Sequence, residues 1–160
     1  MGFNKFIVAL CLMTLTITPV SLAQNSQKDY VAAHNEVRAE LGLGPVRWNE
    51  KLALYARKYI QTKVETCILE HSNGPYGENL AKGSGEGFSG VDAVKLWADE
   101  KPNYDYLSNS CAGGMCGHYT QIIWRDTKEI GCAKTKCKDG WTYISCNYDP
   151  PGNYIGERPF

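Results

Sequence analysis

The hydrophobic pattern over residues 26–41 is that of an amphipathic helix. Its apolar and aromatic positions recur at intervals of three and four residues, which brings them onto one face of a helix. Ser26 and Asp29 form a capping-box signal at the helix start, and Gly42 marks the end. His34 lies on the apolar face, so we expect a buried or half-exposed core residue there rather than a functional one.

Two more segments carry the signals of helices. Asn49 can cap a second helix, whose apolar stripe runs from Leu52 to Tyr59. Ser89 can cap a third helix over residues 91–100. These three helices precede any strong strand signal, so the first part of the chain is predicted to be largely helical.

The remaining signals are those of strands and loops. Residues 73–90 are rich in glycine and predict a loop with one short strand around residues 78–81. Two strand-like segments flank Asp139-Gly140, which is a strong hairpin signal. Residues 149–160 contain three prolines and two glycines, and no regular element fits them. Helices first and a hairpin last favour an α+β fold.

The first residues have the pattern of a secretory signal peptide. A single early charge, Lys5, precedes an apolar run, and Ser21-Leu22-Ala23 provides a small-residue cleavage site. The apolar run is too short for a membrane-spanning helix. We therefore predict a signal peptide over residues 1–23 and an exported single domain over residues 24–160.

Loss of the signal peptide removes Cys11 and leaves an even set of cysteines. Such a set in an exported chain is typical of a disulfide framework, and we predict three disulfides. The alternative is zinc at the CxxxxC spacing of Cys111 and Cys116, but no companion His/Cys quartet supports it. The full set is Cys67, Cys111, Cys116, Cys132, Cys137 and Cys146.

The charge of the chain excludes two classes of partner. Without Lys5, the chain has 16 basic and 17 acidic residues. There is no basic patch of the kind that binds nucleic acid, and no polybasic run for an anionic lipid surface.

Two histidines lie in segments where functional groups are often placed. His71 and His118 occupy irregular, glycine-flanked stretches, and Glu78 and Glu100 are candidates to lie near them. If the four converge, they could share a divalent cation such as zinc or carry out acid–base chemistry, but spacing alone leaves convergence open. The sequence has no HExxH or GxSxG motif, and no free cysteine remains after three disulfides, so no residue can be named as a nucleophile.

An aromatic cluster lies between Pro102 and Cys111. Tyr104, Tyr106 and Leu107 fall on a predicted loop. They either cover the core or line a pocket for an apolar ligand, with tyrosine hydroxyls at its wet end. The residues alone do not separate these alternatives.

The predicted exported chain resembles the plant pathogenesis-related class-one proteins of the CAP superfamily, which includes cysteine-rich secretory proteins and antigen 5. The segments "GHYTQIIWRDT" and "YISCNYDPPGNY" match two signatures of that family, and "HSNGPYGENLA" and "AVKLWADE" match other blocks. The resemblance implies a three-layer α-β-α sandwich with three disulfides. The implied pairs are Cys67–Cys137, Cys111–Cys116 and Cys132–Cys146.

The resemblance also implies two sets of functional residues. The family's cleft residues map onto His71, Glu78, Glu100 and His118, a set that binds a divalent metal such as zinc in some relatives, although no cofactor is required. The family's sterol-binding loop maps onto residues 102–110. Its implied site residues are Pro102, Asn103, Tyr104, Asp105 and Tyr106.

A third implication concerns the C-terminal segment. In relatives this segment can be released as a defence-signalling peptide, which here means cleavage between Asp149 and Pro150 to release residues 150–160. The chain departs from the family pattern at Phe160, where tyrosine is common. The pair Pro150-Pro151 also follows the cut site, where proline slows many proteases.

Together these observations predict a monomeric, secreted, non-enzymatic defence protein that binds pathogen sterols or other apolar lipids in the apoplast, with the vacuole as the alternative location. A peptide-hormone precursor and a metal-dependent hydrolase are the competing functions. A pathogen effector and a receptor for the released peptide are the other predicted partners.

Overall fold

A four-stranded sheet lies between two layers of helices in the computed structural model, which describes residues 25–85 and 87–160. The predicted signal peptide, residues 1–23, lies outside the described residues. A single 3-10 turn, Lys101–Asn103, precedes a short hairpin. The helices are α1 (Gln27–Ala39), α2 (Glu50–Gln61), α3 (Gly90–Ala98) and α4 (Gly117–Ile122), and the strands are β1 (Arg47–Trp48), β2 (Gly77–Gly83), β3 (Tyr104–Asp105), β4 (Ser110–Cys111), β5 (Glu129–Lys136) and β6 (Thr142–Asp149).

The main sheet has the order β1-β5-β6-β2, and β3 pairs with β4 in a separate hairpin. Strand β1 is parallel to β5, and the β5–β6 and β6–β2 pairs are antiparallel. Strand β6 therefore has a neighbour on each edge, and its residues 142–148 are all buried. Strand β2 forms one edge of the sheet, so only one of its two sides is paired with another strand.

The two faces of the sheet are covered by different helices. Side chains of α2 pack with Leu80 and Tyr143 on one face, whereas α1, α3 and α4 pack with Ile144 and Tyr148 on the other. Helix α2 lies so close to the sheet that a Cβ atom at Gly131 would be 2.2 Å from a backbone nitrogen of α2. The predicted α+β, three-layer α-β-α sandwich is confirmed.

The predicted helix starts are confirmed by their caps. Ser26 and Ser89 each form a complete capping box, and the Asn49 side chain accepts from two backbone N–H groups of the first turn of α2. Helices α1 and α3 end two residues earlier than predicted. His34 is fully buried, as expected for a residue on the apolar face of α1.

Three parts of the fold differ from the sequence-based expectation. His118 does not lie in an irregular segment but on the short helix α4. The two-residue strand β1 was not predicted. Strand β2 is longer than expected, because every residue from Gly77 to Gly83 finds a partner on β6.

The three predicted disulfides are confirmed. Cys132–Cys146 joins residues that lie directly opposite each other on β5 and β6, and Cys67–Cys137 ties the segment after α2 to the end of β5. Cys111–Cys116 closes the segment between β4 and α4. The zinc alternative at this last pair is wrong, because sulfurs bonded to each other are not thiolate ligands.

A buried arginine connects α1 to the chain between α4 and β5. The Arg38 guanidinium is almost inaccessible to solvent, and its N–H groups donate only to backbone carbonyls. Burial lowers the pKa of this group. The accepting carbonyls belong to Gly44, Ile122, Trp124, Arg125 and Thr127.

No helix within residues 25–85 and 87–160 combines the length and the hydropathy that a membrane span requires.

Candidate functional site

A cleft of about 330 Å³ opens where edge strand β2 begins. Successive strand residues point to opposite faces of a sheet, so Glu78 and Asn79 reach the cleft from opposite sides of this edge. Helix α4 and the segment closed by Cys111–Cys116 form the other wall. The side chains that line it include His71, Glu78, Asn79, Met115, His118 and Asn153.

The first half of the cleft is a histidine held by a carboxylate. His71 Nδ1 lies 2.8 Å from Glu78 Oε1, which also accepts from the backbone N–H of Ser72 at 2.9 Å. The His71 side chain is 58% exposed and that of Glu78 only 5%. The buried carboxylate thus orients the more exposed ring through Nδ1. The other ring nitrogen, Nε2, does not contact this carboxylate.

The second half repeats this arrangement on α4. His118 Nδ1 lies 2.6 Å from Glu100 Oε1, while Glu100 Oε2 accepts from the backbone N–H groups of His118 (3.0 Å) and Tyr119 (3.3 Å). Helix α4 has no side-chain cap of its own at Cys116, so Glu100 satisfies its first N–H groups. The His118 ring also stacks on Trp97 at a centroid distance of 6.2 Å.

The structure places His71, Glu78 and His118 on one cleft, and Glu100 pairs with His118 without lining it, so the four predicted residues form two separate His–Glu pairs. Each carboxylate is bonded to Nδ1 of its own histidine, so the pairs offer two Nε2 atoms as metal ligands, with the carboxylates behind them. Over the described part of the chain, only Cys67, Cys137 and Asp139 place three ligand-type atoms within 4.8 Å of one another. Those two sulfurs form a disulfide and are not free to bind metal.

One buried oxygen of the cleft lacks a partner. Glu78 Oε2 has no hydrogen bond within the described residues, and neither has the side-chain amide of Asn147. The two residues lie directly opposite each other on β2 and β6 and therefore on the same face. Buried polar groups are rarely left unbonded, so this position suits a bound water or another polar ligand.

Ser72, which follows His71 in sequence, has Tyr55 as its side-chain partner in the described part of the chain. The Tyr55 hydroxyl donates to Ser72 Oγ at 3.2 Å, and His71 Nδ1 is engaged by Glu78 instead.

Asn79 connects the cleft to the core, and sequence reasoning missed it. Its Nδ2 donates to the carbonyl of His118 (3.0 Å) and to the Tyr148 hydroxyl (3.1 Å). His34 Nδ1 lies 2.7 Å from the carbonyl of Tyr30, so Nδ1 donates there and Nε2 accepts from Tyr148 at 2.9 Å. The only sequence signal for Asn79 was its position next to Glu78 on a predicted strand.

Burial keeps His34 uncharged in the hydrogen-bond network that it forms with Tyr148 and Asn79. His34 is fully buried, and loss of solvation lowers its pKa to about 4. The Tyr148 hydroxyl is also buried, and burial raises its pKa well above its usual range. Both groups therefore act as uncharged hydrogen-bonding links between α1 and the sheet.

The predicted sterol loop, residues 102–110, contains the 3-10 turn and the β3–β4 hairpin. Tyr104 is half-buried and its hydroxyl donates to Asn109 at 2.9 Å, and burial raises its pKa. Tyr106 is 44% exposed and Leu107 is 86% exposed, so the loop presents apolar surface to solvent.

Two polar residues of the loop have structural partners. The Asp105 carboxylate accepts from the Ser108 hydroxyl at 2.6 Å and from the Leu107 N–H at 3.0 Å, and the Ser108 bond lowers the pKa of the carboxyl. Asn103 Nδ2 donates to the carbonyl of Met115 at 2.9 Å. Both contacts hold the loop in shape, and Pro102 is exposed at its start.

A second pocket, of about 270 Å³, lies beside the loop. Tyr104 and Trp124 contribute aromatic surface to it, and the Cys111–Cys116 disulfide separates it from the cleft, since both cysteines line both cavities. Residues 153–157 and Pro159 form the opposite wall. We call this cavity the loop pocket.

The C-terminal segment, residues 150–160, has no regular structure but is tied to the domain at both ends. The Asp149 carbonyl accepts from Lys128 N–H at 3.0 Å, and the Pro150 carbonyl accepts from the Thr127 hydroxyl at 2.9 Å. The predicted cleavage site between Asp149 and Pro150 therefore lies at the bonded end of β6. We call residues 150–160 the tail.

Curated proteins resemble the chain over almost its whole length. Pathogenesis-related protein 1 of Arabidopsis thaliana is 53% identical over 159 residues, which cover 99% of this chain and 98% of the relative. The basic form of pathogenesis-related protein 1 of Nicotiana tabacum is 49% identical over 160 residues, covering 100% of this chain and 90% of the relative.

Solved structures share the fold. Venom allergen-like protein 4 of Schistosoma mansoni superposes with a TM-score of 0.64 at 29% identity, covering 84% of this chain and 92% of that one. The crystal structure of NaASP2 with Zn²⁺ gives a TM-score of 0.68 at 20% identity, covering 84% of each chain, and shows the fold alone. A sequence model of the CAP family, described as the cysteine-rich secretory protein family, matches residues 31–148. The chain therefore belongs to the CAP family and is a pathogenesis-related class-one protein by its relatives.

Proposed function

We propose that the protein is a secreted defence protein that binds a sterol or another apolar lipid of a pathogen without transforming it chemically. The observation that carries the proposal is the exposed aromatic loop beside an aromatic-lined pocket. The names of its curated relatives support the role in defence.

The loop pocket fits one end of an elongated apolar ligand. Its volume of about 270 Å³ is just below the roughly 300–1,000 Å³ of sites that enclose small molecules. A sterol would insert one end between Tyr104 and Trp124 and lay the rest over Leu107. Burial of this apolar surface supplies the affinity, at about 25 cal/mol per Å² removed from water, and the Tyr104 hydroxyl, bonded to Asn109, is a polar group at the pocket wall.

Sterol binding by the purified, oxidised protein over residues 24–160 tests the proposal. We expect the Tyr104→Ala/Tyr106→Ala variant to lose binding. The control is Trp141→Ala, which removes an exposed aromatic side chain that does not line the loop pocket and should bind like the wild type. Adding a chelator separates the two cavities: binding that survives chelation belongs to the loop pocket alone. Equal binding by the loop variant and the wild type contradicts the assignment.

Secretion is part of the proposal. The signal-peptide pattern over residues 1–23 and three disulfides both fit export into an oxidising compartment, with the apoplast as the destination. Apoplastic fluid should contain the chain beginning at Gln24. Recovery of the protein only from vacuoles would favour the alternative location.

The tail supports a second function, as the precursor of a signalling peptide that a receptor binds. Residues 153–158 are exposed, so the released sequence is accessible over much of its length. A protease must however reach the bond after Asp149, whose carbonyl is bonded to Lys128. Mass spectrometry of fluid from infected tissue should find a fragment that begins at Pro150, and its absence contradicts this function.

A divalent metal in the cleft is a third proposal, and the residues fit it in part. The Nε2 atoms of His71 and His118 would be the ligands, with Glu78 and Glu100 fixing the rings. NaASP2, which shares the fold, was crystallised with Zn²⁺. Zinc would supply Lewis acidity if the cleft were hydrolytic. Chelation and the His118→Ala substitution should then each abolish turnover. If the wild-type protein hydrolyses no substrate, the hydrolase function is ruled out.

A further inference from the structure

The loop pocket is enclosed by two segments that are distant in sequence. The loop supplies Tyr104 and Asn109 on one side, and the tail supplies Tyr154, Ile155 and Pro159 on the other. The tail has no regular structure, and the loop contains only a 3-10 turn and a hairpin of two-residue strands. The shape of the pocket therefore depends on how firmly the tail is attached to the loop.

Tyr106 is the centre of that attachment. The Phe160 ring stacks on it with centroids 4.9 Å apart, and the Arg158 guanidinium lies 4.9 Å from its centroid. The Tyr106 hydroxyl donates to the carbonyl of Phe160 at 3.2 Å. Arg158 also donates to the carbonyls of Tyr106 and, at 3.1 Å, of Leu107. One side chain thus combines stacking, cation–π and hydrogen-bond contacts with the tail.

Two further bonds fix the tail at residues next to this contact. Asn109 Nδ2 donates to the carbonyl of Glu157 at 3.0 Å, and Arg125 N–H donates to the carbonyl of Pro159 at 2.7 Å. Pro159 is the only buried residue among positions 153–160. The tail is therefore docked and not merely adjacent to the loop.

We propose that the loop and the tail form one cooperative unit in which the tail is a wall of the ligand pocket, so that detachment of the tail dismantles the pocket. The proposal rests on lipid binding at the loop. Tyr104 then contacts the ligand, whereas Tyr106 is a positioning residue that holds the tail. Because binding linkage is reciprocal, a bound lipid also retains the tail.

The opposite arrangement is a tail that covers the binding surface and must leave before a ligand enters. The geometry favours a wall, because Tyr154 and Ile155 line the pocket while Tyr106 and Phe160, the stacked pair, do not. Loss of the tail would remove lining surface and leave the aromatic ring of Tyr106 more exposed on the outside.

Hydrogen exchange without any ligand tests the unit itself. The amide of Arg125 reports on docking, because its acceptor is the carbonyl of Pro159. Tyr106→Ala and Phe160→Ala should each speed exchange at this amide roughly tenfold, the factor that about 1.4 kcal/mol produces. Leu107→Ala is the control on the same loop, because its exposed side chain does not bind the tail, and it should change nothing. Unchanged exchange in Tyr106→Ala overturns the proposal.

Binding of labelled cholesterol tests the wall. Tyr106→Ala and Phe160→Ala should each weaken binding roughly tenfold, and the double variant should be no weaker than either single one, because both remove the same contact. A chain that ends at Asn153 keeps the bond that Gly152 N–H donates to Gln121 and the bond that the Thr120 hydroxyl donates to Asn153, so it retains the first anchor of the tail. We expect it to lose binding as well.

Equal or tighter binding by the chain that ends at Asn153 would show that the tail is a cover, which overturns the proposal. If the wild type binds no sterol, the proposed lipid function fails, and hydrogen exchange alone then decides whether loop and tail are one unit. The two failures are therefore distinguishable.

Discussion

The Glu100 carboxylate holds His118 at two places at once: Oε1 lies 2.6 Å from Nδ1 of the ring, and Oε2 accepts from the backbone N–H of the same residue at 3.0 Å. A single side chain from the turn after α3 therefore caps α4 and orients the imidazole that α4 presents. The position of the helix and the direction of the ring are set by one group.

Replacing Glu100 with glutamine should destabilise the protein. The amide oxygen can satisfy one of these donors, but its NH₂ group faces another donor, and the charge that favours a helix N-terminus is lost. We expect a loss of about 1–3 kcal/mol in the free energy of unfolding, measured by urea denaturation. Glu70→Gln is the matched control, because that carboxylate pairs with Lys63 at an exposed site. Equal losses in both variants would contradict the capping role.

Zinc binding should depend on both histidines of the cleft. In calorimetric titrations of metal-free protein, His71→Ala and His118→Ala should each abolish measurable binding. Glu78→Gln, which disturbs ring orientation only, should weaken it about 10–100-fold. Met115→Leu keeps the volume of another cleft side chain and serves as the control. Binding that survives His71→Ala would place the metal elsewhere.

Buried His34 predicts a specific loss of stability in mild acid. Its pKa is about 4 in the folded protein, because burial disfavours the charged ring and Arg38 acts in the same direction. The unfolded value is about 6.5, so between these values the unfolded chain binds a proton that the folded one does not. Stability from this group is full above about pH 6.5 and falls by up to about 1.4 kcal/mol per pH unit toward pH 4.

Urea denaturation across this pH range measures the effect. His34→Gln is the comparison, because glutamine can still donate to the Tyr30 carbonyl but does not titrate. The difference between the two stability curves should slope between pH 6.5 and 4, the range set by the folded and unfolded pKa values. Parallel curves would show that His34 does not carry the proton linkage.

Two of the disulfides should contribute unequally to stability. Cys67–Cys137 spans 70 residues of sequence and Cys111–Cys116 only 5. On the chain-entropy account, removing the first costs about 4 kcal/mol and removing the second about 2 kcal/mol. Paired Cys→Ser variants compared by urea denaturation check this order. A larger loss from the short loop would show that Cys111–Cys116 stabilises the folded state directly, through the cavities that it separates.

Local signals predicted the parts of the fold that local contacts create. The capping boxes at Ser26 and Ser89 lie within four residues of sequence, and the Asp139-Gly140 turn needs only its two strands. Helix α4 could not be found this way, because its cap is Glu100, 18 residues earlier. Strand β1 has only two residues, and its pairing with β5 defines it.

The same distinction between local and long-range contacts applies to the candidate site. The resemblance to a family supplied the identities of the cleft and loop residues, but no spacing could show that each carboxylate takes the Nδ1 atom of its own histidine. That pairing depends on the edge position of β2 and the fold of the chain around α4. Likewise, Tyr106 and Phe160 are 54 residues apart, so their contact exists only in the folded chain.

The hydrogen bonds of Arg38 limit which amino-acid substitutions the fold tolerates. Its planar guanidinium satisfies carbonyls on the stretch that runs from the end of α4, through Trp124, toward β5. Lysine, with a compact ammonium, cannot reproduce that fan of donors. Since Arg38 holds the backbone at Trp124, which lines the loop pocket, other lining residues of that pocket can be exchanged while this part of its wall stays in place. The lining of the loop pocket can therefore vary in sequence on an unchanged backbone frame.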